Sequence, residues 1–225
     1  MRILRIGAVF VLAAVASGAW AAEVSIGGVA IKLPAPAGFC ELSASQPVDN
    51  HALTEFGALL ETAGGRLLAV SADCRQLADW RAGKRLLDDY AQFQTPIARI
   101  NQVEPRAFIH KTCASLRAQG DQLISNQAAD IKSKLEGAVA NVKVNSQEFV
   151  GVLAEDDTAC YAAQILKARL PNGADESHLI LSSLVVVKNK PIFVNRYAVY
   201  ANAAAKWALL TELKDTVAAL YAANR

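Results

Sequence analysis

The chain is 225 residues long and 53% of them are hydrophobic, which excludes a disordered segment and fits one large domain or two small ones. Its 23 Lys and Arg against 21 Asp and Glu leave a net charge of +2. That excess is too small for a strongly basic nucleic-acid binder, and it equally excludes an acidic tail protein.

The chain opens on Arg2 and Arg5, then runs from Ile6 to Ala19 without a charge. Ala19-Trp20-Ala21 places small residues at the −3 and −1 positions of a cut before Ala22. Positive start, apolar run and A-x-A site together predict a secretory signal peptide over 1–21, helical in its apolar part. The competing reading is an uncleaved membrane anchor, but the run is shorter than the ~20 residues that span a bilayer. Neither an early cysteine for lipidation nor an Arg-Arg pair for twin-arginine export is present. The expected destination is the periplasm by the general export route, with no stable membrane span after cleavage. Arg2 and Arg5 would leave with the leader, so the remaining 21 basic side chains would balance the 21 acidic ones.

Residues 22–225 read as a single α+β domain, since no linker, repeat or low-complexity tract interrupts them. Val24 to Leu33 alternates around Gly27-Gly28, which predicts a hairpin or bent strand. Pro34 and Pro36 end it. Asp49 or Asn50 can cap a helix carrying Leu53, Phe56 and Leu60, stopped at Gly64-Gly65. Arg66 to Cys74 contains a short apolar run expected as a buried strand. Arg75 to Ile97 is ambiguous and is taken as mostly helical. Trp80-Arg81-Ala82-Gly83-Lys84 within it is either an exposed recognition loop or a Trp covering the core.

Pro105 suits a first helical position. Ile109, Cys113, Leu116, Leu123, Ile131, Leu135 and Val139 then follow at helical spacing. This predicts one amphipathic helix, or two joined near Gly120. An unbroken helix of about 35 residues would run ~52 Å, so a break or a protruding end is expected. The last third is rich in strands. Glu148 to Leu153 and Thr158 to Lys167 flank the acidic turn Glu155-Asp156-Asp157, and Asn172-Gly173 marks another turn. Leu179 to Val187 and Ile192 to Tyr200 flank Lys188-Asn189-Lys190-Pro191 as a hairpin. Both faces of 179–187 are apolar, which places that strand inside the sheet. Asn202 can cap a terminal helix whose Trp207, Leu210, Leu213, Val217 and Leu220 form one face. The whole predicts a mainly antiparallel sheet with helices packed on it, an α/β/α sandwich-like arrangement.

Cys40, Cys74, Cys113 and Cys160 all follow the leader. An even count in an exported chain predicts two disulfides, which can pair in three ways. Cys40–Cys74 with Cys113–Cys160 is favoured because each bridge then joins neighbouring elements. The alternative leaves one or more as buried thiols.

The motif search returns little. There is no nucleophile elbow, phosphate-binding Gly-Lys-Ser/Thr loop, dinucleotide fingerprint or H-E-x-x-H. No zinc spacing fits the cysteines, and no cofactor is implied. His110 and Cys113 sit three apart on one helix, close enough to share a proton or a metal. The apolar stripe around Cys113 argues against a reactive thiolate. Glu155-Asp156-Asp157 and Asp88-Asp89 are adjacent and splay apart, so solvated turns are expected. His51 and His178 read as surface histidines. Arg196, Tyr197 and Tyr200 lie on the last strand, with Lys188 and Lys190 at its hairpin tip. Period two puts Arg196 and Tyr200 on one face and Tyr197 on the other. Arg196 could hold an anionic ligand or, as the plainer reading, pair with a carboxylate under a helix end.

The stretch from Leu179 to Tyr200, followed by its amphipathic helix, resembles the end of PsbP-like α/β/α proteins. Gly38-Phe39-Cys40, Leu67 to Cys74 and Leu87-Asp88-Asp89-Tyr90 are similar to functionally unassigned exported proteobacterial proteins. The resemblance implies a binding or accessory module and assigns no functional residue. The expectation is therefore a non-enzymatic periplasmic protein whose partner is another protein or a small ligand. The alternative is a hydrolase-like enzyme whose site assembles from distant residues.

Overall fold

The computed structural model describes residues 22–98, 104–138 and 142–225. The leader expected over 1–21 lies outside the described residues. The fold is α+β. A hairpin of β1 (Ala22–Ile26) and β2 (Val29–Leu33) precedes a seven-stranded sheet. That sheet contains β3 (Phe39–Glu41), β4 (Gly65–Asp73), β5 (Tyr90–Pro96), β6 (Lys143–Glu155), β7 (Ala159–Arg169), β8 (Asp175–Val187) and β9 (Lys190–Val199). Its order is β3-β4-β5-β9-β8-β7-β6, and every pair is antiparallel. The helices are α1 (Pro47–Thr62), α2 (Cys74–Arg81), α3 (Pro105–Ala138) and α4 (Ala203–Ala223).

Turn chemistry fixes the two hairpins. Gly27 and Gly28 have φ of 56° and 80°, the left-handed pair that a two-residue hairpin turn needs. Lys188 and Asn189 make the same turn at φ of 46° and 60°. Asn tolerates that region, but Lys has no such allowance, so the β8–β9 ladder has to hold it there. Asn202 caps α4 by accepting from the Ala205 N–H, as its position at the start of the apolar periodicity predicts.

Helices cover both faces of the sheet. One face carries α4 and the β1–β2 hairpin. Leu209, Leu210, Leu213, Val217 and Leu220 pack there on Phe93, Leu179, Leu181, Val185, Ile192 and Val194. On the opposite face α3 packs through Ile109 and Cys113 on Cys160 and Val186. Beside it Leu42, Val70, Ala72 and Leu77 form a separate cluster with Phe56, Trp80 and Tyr90 packed against it. Trp80 thus covers the core. Strand β8, apolar on both faces, lies between β9 and β7.

Cys40–Cys74 and Cys113–Cys160 are disulfides. The first ties β3 to the start of α2, and the second pins α3 to β7.

Four sequence expectations change. Helix α1 starts at Pro47 with Gln46 as a cap lacking a side-chain bond, because a proline fits the first turn and fixes φ there. Asp49 lies inside it as a fully buried ion-pair partner of Arg81. Residues 90–96 are a strand, not helix. Ala91, Gln92 and Phe93 are buried in succession, so no alternation shows in the sequence, and pairing with both β4 and β9 overrides local preference. Helix α3 passes Gly120 unbroken over 34 residues, because the ring of Phe149 occupies the space a Cβ would take there. Trp207 is half exposed, and the buried stripe of α4 starts at Leu209.

Candidate functional site

The residues singled out by sequence fall into three places. The first is the N-terminal end of α3. Cys113 is oxidised to a disulfide with Cys160, so it offers no thiolate to His110. Register sets Glu155 opposite Cys160, and Glu155 reaches back to α3. Its carboxylate bonds His110 Nδ1 and accepts from Arg117 Nη1 at 2.5 Å. Arg106 Nε donates to His110 Nε2 at 3.4 Å and lies 2.9 Å from Asp157 Oδ1. His110 Nε2 also lies 3.6 Å from Asp157 Oδ1. Hydrogen bonds from His110 and then Arg117 hold the Glu155 carboxyl below its ordinary range. The acidic turn is therefore more than solvated: it clamps α3 to the sheet beside the disulfide. Of the three carboxylates Asp156 is held by its own turn, while Glu155 and Asp157 both face His110. His178 pairs with Glu176 at 2.8 Å, His51 is exposed on α1, and Asp88 pairs with Arg85.

The second place is Arg196, which is 1% exposed. Its guanidinium bridges Asp89 Oδ1 at 3.1 Å and Glu212 Oε2 at 3.0 Å, and lies over the Phe39 ring at 4.3 Å. Glu212 belongs to α4, so the plainer of the two readings of Arg196 holds. Burial raises the Asp89 carboxyl, against the opposing pull of Arg196. Tyr197, on the other face, stacks on Tyr90 at 4.3 Å and donates to Gln92 Oε1 at 3.1 Å. Tyr200 packs against the α4 core. Lys188 sits at the opposite end of the hairpin, so the grouping of these residues with the lysines does not form one site.

The third place went unnoticed in the sequence as a site. A cleft of about 560 Å³ opens between the C-terminal half of α4, the β6–β7 turn and the β8–β9 turn, lined by Asp156, Thr158, Tyr161, Lys188, Lys214 and Arg225 around an apolar floor of Val187, Val217 and Ala218. Its volume falls in the roughly 300–1,000 Å³ range of small-molecule sites. The polar groups divide into committed and free. Asn224 is committed: it bonds the Lys32 main-chain N–H and C=O and the Leu220 carbonyl, locking α4 to β2. The Tyr221 hydroxyl is aimed at the main-chain carbonyls of Thr158 and Val186. Asp156 Oδ1 accepts from the Thr158 N–H, the Thr158 hydroxyl and the Ala159 N–H.

The remainder is free. Tyr161 is 3% exposed, and its hydroxyl has no hydrogen-bond partner among the described residues. Burial, reinforced by the charge of Asp156, pushes its phenol up, so it stays protonated and donates. The Lys214 ammonium lies 5.5 Å over the Tyr161 ring. Lys214, Lys188 and Arg225 form no ion pair with any described residue. Lys188 donates one proton to the Ala30 carbonyl at 3.1 Å and retains two. On the acceptor side Asp156 Oδ2 takes no hydrogen bond from the described residues. Burial would raise that carboxyl, but the Thr158 and Ala159 bonds and the charge of Lys214 outweigh it and hold it low.

Among the described residues no group of three His, Cys, Asp or Glu side chains converges as a metal site would, and no helix is long and apolar enough to cross a membrane. No protein-family model matches the chain, and no curated protein matches it. Among solved structures it is similar to the Ran-binding protein Mog1p of Saccharomyces cerevisiae, at 13% identity and a TM-score of 0.30 over 91% of this chain and 92% of that one. A likeness that distant carries no argument about this chain.

Proposed function

We propose that the chain is an exported, disulfide-stapled domain that binds a ligand in the periplasm as an accessory module and does not transform it. Residues 1–21 are its signal peptide, and residues 22–225 its single domain. The observation that carries the binding role is the α4 cleft. It presents free donors above an apolar floor, and its one carboxylate is already held by a turn. General acid–base chemistry wants a proton acceptor and a donor of matched pKa facing one substrate, and neither Tyr161 nor Lys214 has a partnered base. Two disulfides suit an oxidising compartment, and the resemblance of the last strands to PsbP-like proteins supports an accessory role.

N-terminal sequencing of the protein recovered from an exporting cell tests the first half: the chain should start at Ala22, and retention of Met1 refutes export of a cleaved form. A hydrolase panel on the purified protein tests the second half. Turnover that disappears in His110→Ala or Tyr161→Phe refutes the non-enzymatic role.

A further inference from the structure

The α4 cleft has an unequal hydrogen-bond inventory, and that inequality names a ligand class. Lys214 offers three protons, Lys188 two more after its bond to Ala30, and Arg225 a guanidinium fork. Tyr161 adds a hydroxyl on a side chain that is almost wholly buried and otherwise unpartnered. Against these donors stands Asp156 Oδ2. The Tyr161 hydroxyl opens to the cleft rather than being sealed in the core, so it can donate to an acceptor placed over it. Lys214 lies over the same ring, 5.5 Å from its centre.

Two features oppose an anion here. Asp156 is one. The C-terminal end of α4 is the other, and its dipole amounts to roughly half a negative charge. Asn224 already takes the Leu220 carbonyl at that end, and three cationic side chains outweigh both features. Arg225 holds no carboxylate among the described residues, whereas Arg75, Arg81, Arg85, Arg106, Arg117 and Arg169 each do.

We infer that the cleft takes a small amphiphile with an oxyanion head, a carboxylate or a phosphate, received by Lys214, Lys188 and the Tyr161 hydroxyl, with its apolar part on Val187, Val217 and Ala218. This deepens the binding role proposed above and rests on it.

The probes are octanoate, octyl phosphate, inorganic phosphate and octylamine, followed by amide NMR shifts on the mature protein. Octanoate and octyl phosphate should shift residues 156–161, 187–190 and 214–225, and binding should weaken as salt is raised. Comparison of the two separates a carboxylate source from a phosphate one. Octylamine, with the same tail and opposite head, should leave those residues unmoved. Lys214→Ala should weaken octanoate binding roughly tenfold or more, and Tyr161→Phe, which keeps the packing, severalfold. Unchanged thermal melts certify that both variants fold. If octylamine binds as well as octanoate, or if Lys214→Ala leaves affinity unchanged, the anion inference is overturned and the cleft survives as a binding site. If no probe moves the cleft while another surface of the protein responds, both readings fail.

Discussion

Removal of the Cys113–Cys160 bridge is the sharpest test of how the α3 layer is held. The two cysteines close 47 residues of chain. Cross-linking a loop of that span removes unfolded-state entropy worth about 4 kcal/mol at 25 °C. In a domain of this length each kcal/mol moves Tm by about 2–4 °C, so the Cys113→Ala/Cys160→Ala variant should melt roughly 8–16 °C lower. Both sulfurs are buried, with Cys113 at 0% and Cys160 at 2% exposure, and their lost packing adds to the fall. The effect should also be local. The N-terminal half of α3 is held by Ile109 and Cys113, with Phe108 and Leu116 beside them, while α4 has its own larger cluster. Hydrogen exchange in the double variant should therefore quicken over residues 105–120 and stay slow in β8 and α4. In the native protein, mild reductant should open the exposed Cys40–Cys74 bridge first, since access limits thiol attack. A Tm drop below about 2 °C, or free thiols in the oxidised protein, would refute the staple argument.

Two further outcomes follow from named contacts. Gly120→Ala in a helix interior normally stabilises by about 1 kcal/mol. Here the added Cβ would fall 2.1 Å from Phe149 Cε1, well inside the ~3.5–4.0 Å of carbon contact. The ring has to shift, and the net change should be a loss of about 1–2 kcal/mol in urea melts. In a Phe149→Ala background the same substitution should stabilise instead; equal effects in both backgrounds would show that the contact does not matter. The second outcome concerns acid. Burial would raise the Asp49 carboxyl, but hydrogen bonds from Arg81 and the Ser43 N–H, with the charge of Arg81, hold it below the usual range. A carboxyl lowered in this way stabilises above its unfolded pKa of about 3.9, and that contribution fades as pH falls through the folded value. Glu41 and Asp89, both raised by burial, act with the opposite sign. Asp49→Asn should lower the urea midpoint at pH 7 and flatten its decline below about pH 4; an unaltered acid slope would remove Asp49 from the account.

What the sequence made legible was local. Gly27-Gly28, Pro105, Asn172-Gly173 and Asn202 each act through their own backbone preference, and the elements they punctuate stand where those preferences put them. Strand β5 was hidden because its burial is two-sided and leaves no period to read. The cleft was hidden for a different reason. Asp156, Tyr161, Lys188 and Lys214 come from a turn, a strand, a second turn and a helix, and only the packing of α4 across the sheet gathers them. Tyr161 reads in sequence as one more core aromatic. Its distinguishing property, a hydroxyl without a partner, is visible only once its neighbours are known. Arg196 was legible: the sequence favours a carboxylate under a helix end over an anionic ligand, and the fold commits it to Asp89, Glu212 and Phe39.

That division between arginine and lysine bears on what the cleft can recognise. The most buried arginine works inside the fold, where a planar fork can hold two carboxylates and an aromatic face at once. The cleft has Arg225 at its edge and, nearer Tyr161, Lys188 and Lys214, compact charges on flexible stems that have no fixed donor geometry. Such groups select for charge and yield little discrimination by shape. The rigid polar donor there is the Tyr161 hydroxyl, on a ring that the core surrounds, beside Asp156, which its turn holds. Selectivity should therefore lie in what reaches Tyr161. A head group whose oxygen accepts from Tyr161 and whose tail lies along Val187, Val217 and Ala218 can meet it. Affinity then follows salt, and specificity follows the tail.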